Sequence, residues 1–457
     1  MINVVKKRGN CDLFEKKSLT LHANIGVMEK FAELSIQNFR AIKSANITLN
    51  GITVVSGVNG CGKSTMSKLL YYIFHNANAF NEIAADNVRQ NIEPYQSALT
   101  SILRGVRYAN ALTYRRFMML RSGLDEINTE SIAKYIEYLK SLKTSLIESL
   151  SDERQADVRF LERDLYIIKS TLGIDLDDNV DVPSMVELII AKIIERLEKY
   201  NQLIIDRPYN LFARRMEDFF ESDVLKNVSL KEYDSIVYGH GQKNIPELHY
   251  IKKVAYIDTP MIIGQSISPQ QPSYWKEINE LAKMPPRKGY KLSINKFIKQ
   301  GIMNGDASYD DDYFAGGFKY NRADGKIFDL VECATGIKSF SIMQMLLKNL
   351  FLSGDTLMIL DEPETHLHPQ WIVEYANLIV LLHKRLGAKF FITSHSTDMV
   401  SAIRYISEKE RCMNNVSFYL AEQVGTETYS YKYLKDDIEP IFNSFNKSYD
   451  KLDEYAR

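Results

Sequence analysis

Gly57-Val58-Asn59-Gly60-Cys61-Gly62-Lys63-Ser64-Thr65 decides how the rest of this chain is read. It fits G-x-x-x-x-G-K-[ST], and its flanks fit too. Ile52 to Val55 before it is a short β-branched run, the pattern of a buried strand. MSKLLYYIF after it reads as a helix. Strand, glycine loop and helix together form a phosphate cradle. The glycines let backbone N–H groups turn inward onto phosphate oxygens, and the helix adds its positive N-terminal end. Lys63 reaches the β- and γ-phosphates, and the Ser64 hydroxyl helps hold Mg²⁺. Gly57, Asn59, Gly60, Cys61, Gly62, Lys63, Ser64 and Thr65 are therefore the candidate nucleotide contacts. A glycine-rich turn matching by chance is the plainer reading, and the flanking strand and helix speak against it.

Two further strands point at the same place. Leu357 to Leu360 is a continuous apolar run ending in Asp361-Glu362. Carboxylates at the C-terminal end of such a strand face the nucleotide crevice of an α/β sheet. Asp361 is placed to hold Mg²⁺ through water, and Glu362 to orient or deprotonate the attacking water. A solvated acidic turn before a helix is the alternative. Lys389 to Thr393 reads as another buried strand, closed by Ser394-His395. A histidine there can hydrogen-bond a γ-phosphate and sense its loss. His366 and His368 lack an apparent third metal ligand and read as helix-start packing or a dimer contact.

The order of these motifs resembles an ABC-type ATPase head of the SMC, Rad50, RecF and OLD-like group, over about residues 29 to 435. The resemblance implies an α/β P-loop head with ATP and Mg²⁺ as its ligands. It also implies a signature segment that opens a helix just before the Asp-Glu strand and closes over the nucleotide of a second protomer. Ala334-Thr335-Gly336-Ile337-Lys338-Ser339 fits that role by position. FKYNRADGKIFDLVE before it reads as a hairpin, and SFSIMQMLLKNLF from Ser339 onward as a helix. The Thr335-Gly336 step would let N–H groups approach an anion, Lys338 would add charge, and Ser339 would line the contact. The segment departs from the Leu-Ser-Gly-Gly-Gln of transporters, so its polar contacts differ. Arg40, after Asn38-Phe39, matches a basic residue that lies near the nucleotide in such heads. Gln265 is the candidate for the glutamine that couples γ-phosphate to the helical lobe.

The remainder divides into an N-terminal arm (1–28, or an over-extended start with Met28 as the first residue), an N-terminal lobe (29–103), a helical insertion (104–250), a C-terminal lobe (251–435) and a tail helix (436–457). The insertion carries five arginines between Arg104 and Arg121 among aromatics. They form either a nucleic-acid or partner-facing helix or a solvated face with snorkelling stems. Val158, Leu161, Leu165, Ile168 and Leu172, and then Val186, Ile190, Ile193, Leu197 and Tyr200, step by three and four. They predict a short coiled-coil-like hairpin, with Ser184 and Glu187 as a capping box. Asp306 to Tyr313 reads as an acidic loop.

Charge is balanced at 57 basic to 58 acidic residues, so no global field draws the chain to nucleic acid or membrane. The four cysteines lack metal spacing and suit a reducing, cytoplasmic setting. No apolar run is long enough to span a bilayer. About sixty residues follow His395, enough for two or three closing strands but short of a nuclease domain. Heads of this kind resemble the ATPase subunits of bacterial anti-phage systems such as Septu and PARIS. That resemblance implies a homodimer with composite ATP sites, a higher homo-oligomer, a separately encoded HNH or Toprim nuclease, and a DNA or phage-protein trigger. A RecF-like or Rad50-like repair ATPase that binds DNA itself is the alternative.

Overall fold

A computed structural model describes residues 32–105, 111–122, 127–151, 181–220, 226–268, 270–312, 316–365 and 367–445, with positions 166, 168–171 and 173. The N-terminal arm, most of the first hairpin helix, Arg107, His366 and the end of the tail helix lie outside the described residues.

The frame is a ten-stranded mixed sheet. Its order is β5-β4-β1-β2-β13-β12-β3-β11-β10-β6. The strands are β1 (Ala32–Phe39), β2 (Ile42–Thr48), β3 (Ile52–Ser56), β4 (Val228–Glu232), β5 (Ser235–Tyr238), β6 (Lys253–Ile257), β10 (Thr356–Asp361), β11 (Lys389–Ser394), β12 (Val416–Gly425) and β13 (Thr428–Lys435). A second sheet holds β7 (Gly305–Asp310), β8 (Gly317–Arg322) and β9 (Ile327–Asp329), all antiparallel.

From β12 to β6 the large sheet is parallel. Every residue of β3, β10 and β11 is buried. Such strands lose both faces to the core, which explains their unbroken apolar sequence. Alternation still operates within them. Val55, Leu357, Ile359 and Phe391 enter one core, and Val54, Met358, Leu360 and Ile392 the other. The first core receives α1 (Lys63–Asn78) and the helical insertion. The second receives the small sheet with α9 (Thr335–Lys348), α10 (Pro369–Leu386) and α11 (Thr397–Lys409). From β5 to β2 the sheet is antiparallel, and β13 joins the halves, antiparallel to β12 and parallel to β2.

The insertion is a bundle in which α2 (Phe80–Gly105) and α4 (Thr129–Ser151) both pack on α5 (Val182–Asp206). Val186, Ile190, Ile193, Leu197 and Tyr200 are its buried seam, as the periodicity requires. The capping box is not formed. Asp181 caps α5, accepting from Ser184 N at 3.0 Å, with Pro183 in the first turn. Asp181 sits one turn earlier and takes the donor, while Glu187 pairs with Lys143 of α4. β4 and β5 pair onto β1, so the head sheet resumes at Val228 and not at 251.

The arginine-rich segment spans the end of α2 and α3 (Ala111–Ser122). Arg104 reaches the Tyr114 hydroxyl, Arg116 lies 5.4 Å over the Tyr138 ring, and Arg121 reaches Thr100 at 3.4 Å. These are the contacts of snorkelling side chains on their own bundle. The expected acidic loop at Asp306 is instead β7. Gln344 and Lys348 of α9 bond the backbone of Ala307, and Lys348 also pairs with Asp306 at 2.6 Å. Polar residues of α9 thus anchor a strand that its own composition disfavours.

Candidate nucleotide site

The glycine loop joins β3 to α1 in the geometry its sequence requires. Gly60 and Gly62 have φ of 80° and 99°, the left-handed region that glycine enters without strain. Gly57 is needed for closeness: a Cβ there would stand 2.6 Å from the Ala421 side chain. No side chain caps α1, so the N–H groups of its first turn remain for a ligand. The Tyr431 hydroxyl donates to the Cys61 carbonyl at 2.9 Å and braces the loop from β13. Lys63 is buried, and its ammonium bonds the carbonyls of Gly57 and Val58 at 3.1 Å each, across the mouth of the loop.

Two strands away, Asp361 ends β10. Tyr256 of β6 donates to its Oδ2 at 3.0 Å, and Thr393 of β11 donates to its Oδ1. Burial and the neighbouring Asp361 charge push the Tyr256 phenol far up, so it stays a donor. Glu362 leaves the strand at φ 50°, costly for a non-glycine by about 1–3 kcal/mol. Its N–H is held by the Thr393 carbonyl at 3.0 Å and hydroxyl at 3.2 Å. The Glu362 carboxylate lies 2.7 Å from His395 Nε2. Burial, then the Lys63 charge, hold the His395 pKa below the ordinary histidine value, with Glu362 opposing. Glu364 accepts from Ser394 Oγ and His395 N at 2.8 and 2.7 Å, which fixes the end of β11.

Ser64, Asp258, Thr259, Ser339, Asp361 and Glu362 line one cavity of about 330 Å³. Hydroxyl and carboxylate oxygens are the donors Mg²⁺ takes, with one or two carboxylates sufficing beside phosphates. Among the described residues no group of three or more His, Cys, Asp and Glu gathers as a metal cage. Ser64 brings a hydroxyl and Asp361 a carboxylate to this cavity, a donor pair of the kind Mg²⁺ accepts.

The signature residues divide. Ser339 faces the cavity of its own protomer. Thr335 opens α9, and Gly336 lies under Trp371, where a Cβ would meet the ring at 2.4 Å. The glycine makes room for an indole, not for an approaching anion. Lys338 is buried and turned back onto the Val331 carbonyl at 2.7 Å, so its charge is spent inside the fold. Arg40 is exposed in the left-handed turn between β1 and β2, stacked near Phe39 and Phe220. Two residues on, Ile42 packs against Gly62. Gln265 lines a different cavity, with Lys276 and Tyr309. His368 caps α10, accepting from Gln370 N at 3.3 Å, which is the helix-start role.

Sequence reasoning missed Tyr256, Asp258 and Thr393. Asp258 follows β6 in the cavity wall and accepts from Tyr274 and Trp275 at 2.9 and 2.8 Å. The signal was available in one form: each stands at the C-terminal end of a parallel strand, where ligands gather.

Loop, carboxylate pair and strand order define a P-loop nucleotide-binding protein of α/β architecture. The chain matches the AAA ATPase domain across residues 30–400, and it belongs to that family. Solved structures with similarity include the SMC head domain from Thermotoga maritima, at 12% identity and TM-score 0.25, covering 35% of this chain and 51% of that one. The SMC head domain from Pyrococcus furiosus, with an extended coiled coil and bound to the C-terminal domain of ScpA, has 13% identity and TM-score 0.30, covering 93% and 99%. The chain spans about half the length of the first of these. At such TM-scores the likeness carries no weight, and the family match and the site stand without it. No curated protein matches. No helix among the described residues is long and apolar enough to cross a membrane.

Proposed function

We propose that the chain hydrolyses ATP in the cavity between the glycine loop and the Asp361–Glu362 pair. The observation that carries this is the convergence of Ser64, Asp361 and Glu362 on one cavity from segments far apart in sequence. Lys63 and the first turn of α1 bind the phosphates. Ser64 and Asp361 would hold Mg²⁺, which would supply charge neutralisation to the phosphates. Glu362 orients the attacking water and takes its proton, while His395, whose Nε2 lies 2.7 Å from that carboxylate, reads the γ-phosphate.

On the larger scale we read the chain as the ATPase subunit of an anti-phage defence complex. It is a nucleotide-gated homo-oligomeric scaffold, with composite sites in a dimer, that holds and controls a separate HNH or Toprim nuclease. A DNA or phage-protein trigger sets the switch. The motif order supports an ATPase head of this class, and the defence role is carried over from the resemblance by analogy. The repair-type alternative draws less support, because Arg104, Arg116 and Arg121 bind their own bundle.

The test is mass in solution with and without ATP·Mg²⁺, beside phosphate release, for wild type and Glu362→Gln. Slow turnover in a stable dimer or ring, lost in the variant, is expected. A monomer whose turnover rises with DNA would replace the scaffold reading by the repair one.

A further inference from the structure

We propose that Thr393 is a positioning residue that locks the two carboxylates together, and that Tyr256 positions the first of them alone. The proposal rests on the ATPase reading above. Asp361 and Thr393 are register partners on adjacent parallel strands. The Thr393 hydroxyl does two things at once. It donates to Asp361 Oδ1, and it accepts from the N–H of Glu362 at 3.2 Å. Its own carbonyl accepts the same N–H at 3.0 Å. Thr393 is fully buried.

The geometry assigns distinct work to the two hydroxyls. Asp361 is flanked by β11 on one side and β6 on the other. Each neighbour sends one hydroxyl to one carboxylate oxygen: Thr393 to Oδ1, and Tyr256 to Oδ2 at 3.0 Å. The carboxylate is held at both oxygens, and Asp361 lines the cavity that Ser64 also lines. Tyr256 touches Asp361 and not Glu362. Thr393 touches both, its hydroxyl sharing the N–H of the left-handed Glu362 with its own carbonyl. Loss of the Thr393 hydroxyl therefore loosens the residue that holds the cation and the residue that handles water. Loss of the Tyr256 hydroxyl loosens the first only.

The experiment measures ATP turnover of the full chain against Mg²⁺ concentration, with Mg²⁺-free ATP binding and a thermal melt as companions. Thr393→Val keeps the shape and deletes the hydroxyl. It is expected to raise the half-saturating Mg²⁺ by about tenfold or more and to lower turnover at saturating Mg²⁺ by a similar factor. Tyr256→Phe should raise half-saturating Mg²⁺ and leave saturated turnover within about twofold. Thr393→Ser, which restores donor and acceptor, should recover wild-type behaviour in both. Mg²⁺-free ATP binding should be unchanged in all three.

If Thr393→Val melts below the assay temperature, Thr393→Cys against Thr393→Ser makes the same comparison at matched size. A wild-type chain that turns over ATP while Thr393→Val, or Thr393→Cys, tracks Thr393→Ser in both parameters overturns the inference. So does a Thr393→Val defect in turnover with no change in Mg²⁺ dependence. A wild-type chain that neither binds nor hydrolyses ATP overturns the parent reading instead, so the two failures are told apart.

Discussion

Two segments of this molecule share an alphabet and use it in opposite ways. Gly62-Lys63-Ser64 and Gly336-Ile337-Lys338-Ser339 each start a helix with a glycine, a lysine and a serine. In the first, Gly62 adopts φ 99° and turns the backbone toward the cavity, and Lys63 lies across the loop mouth. In the second, Gly336 is helical and yields its side-chain volume to Trp371, and Lys338 binds the carbonyl of Val331 behind it. The lysines are equally buried, at 4% and 2% exposure, so burial does not separate them. What separates them is direction: one ammonium lies across a loop built to receive phosphate, the other is folded into the chain. Residue type at a helix start is thus a weak guide to function, and the strand preceding it is a strong one.

The sharpest way to break the comparison is at Lys63. Lys63→Ala is expected to weaken ATP binding on the order of 100-fold, as loss of charge-assisted bonds to phosphate implies. Equilibrium binding checks it, and near-normal affinity would put Lys63 on the same footing as Lys338. Next comes Glu362→Gln, expected to keep ATP bound while phosphate release falls by about 10²–10⁴-fold. Single-turnover assays separate the two.

Gly336→Ala tests the other segment. A Cβ there meets the indole at 2.4 Å, so the cost should appear as stability, about 1–3 kcal/mol. Denaturant unfolding measures it, with ATP affinity of the protomer unchanged. Normal stability with lost ATP-dependent assembly would instead give this glycine an anion-approach role in trans.

The smallest effect concerns the far end of α1. Glu277, on α7 (Ser273–Lys283), accepts from Tyr71 and lies 3.3 Å from His75. Burial, with some repulsion from Glu82, pushes its carboxyl up to about 7, and the Tyr71 bond pulls the other way. A folded pKa above the unfolded one means the fold prefers the protonated form. This group's contribution is thus fully present below pH 4.5 and is lost as pH rises through about 7. Glu277→Gln should melt with wild type at pH 5 and above it by a few degrees at pH 8. An equal gap at both would show that packing, not titration, sets the difference.

The glycine loop, the Asp361–Glu362 pair and His395 were legible because each is local: a few consecutive residues after an apolar run declare their position. Thr393 and Tyr256 were not. Each is an ordinary strand residue, and its meaning comes from a register between strands more than a hundred positions apart for Tyr256 and Asp361. The ten-strand order was likewise out of reach, since β4 and β5 return to β1 only after the whole helical bundle. The misread strand at Gly305–Asp310 teaches the same point. Its partners Gln344 and Lys348 lie on a helix some forty residues on, and no local pattern announces them.

One feature of the sheet bears on how the chain is made. Ile52, in the strand that carries the glycine loop, is paired on one side by Phe390 and on the other by Val416. Ser56 closes its bond to Ser394 across 338 positions. At ordinary rates of synthesis that is on the order of half a minute during which an apolar strand has neither neighbour. Until then the strand that carries the phosphate loop has both edges open, the exposure that invites pairing with other chains.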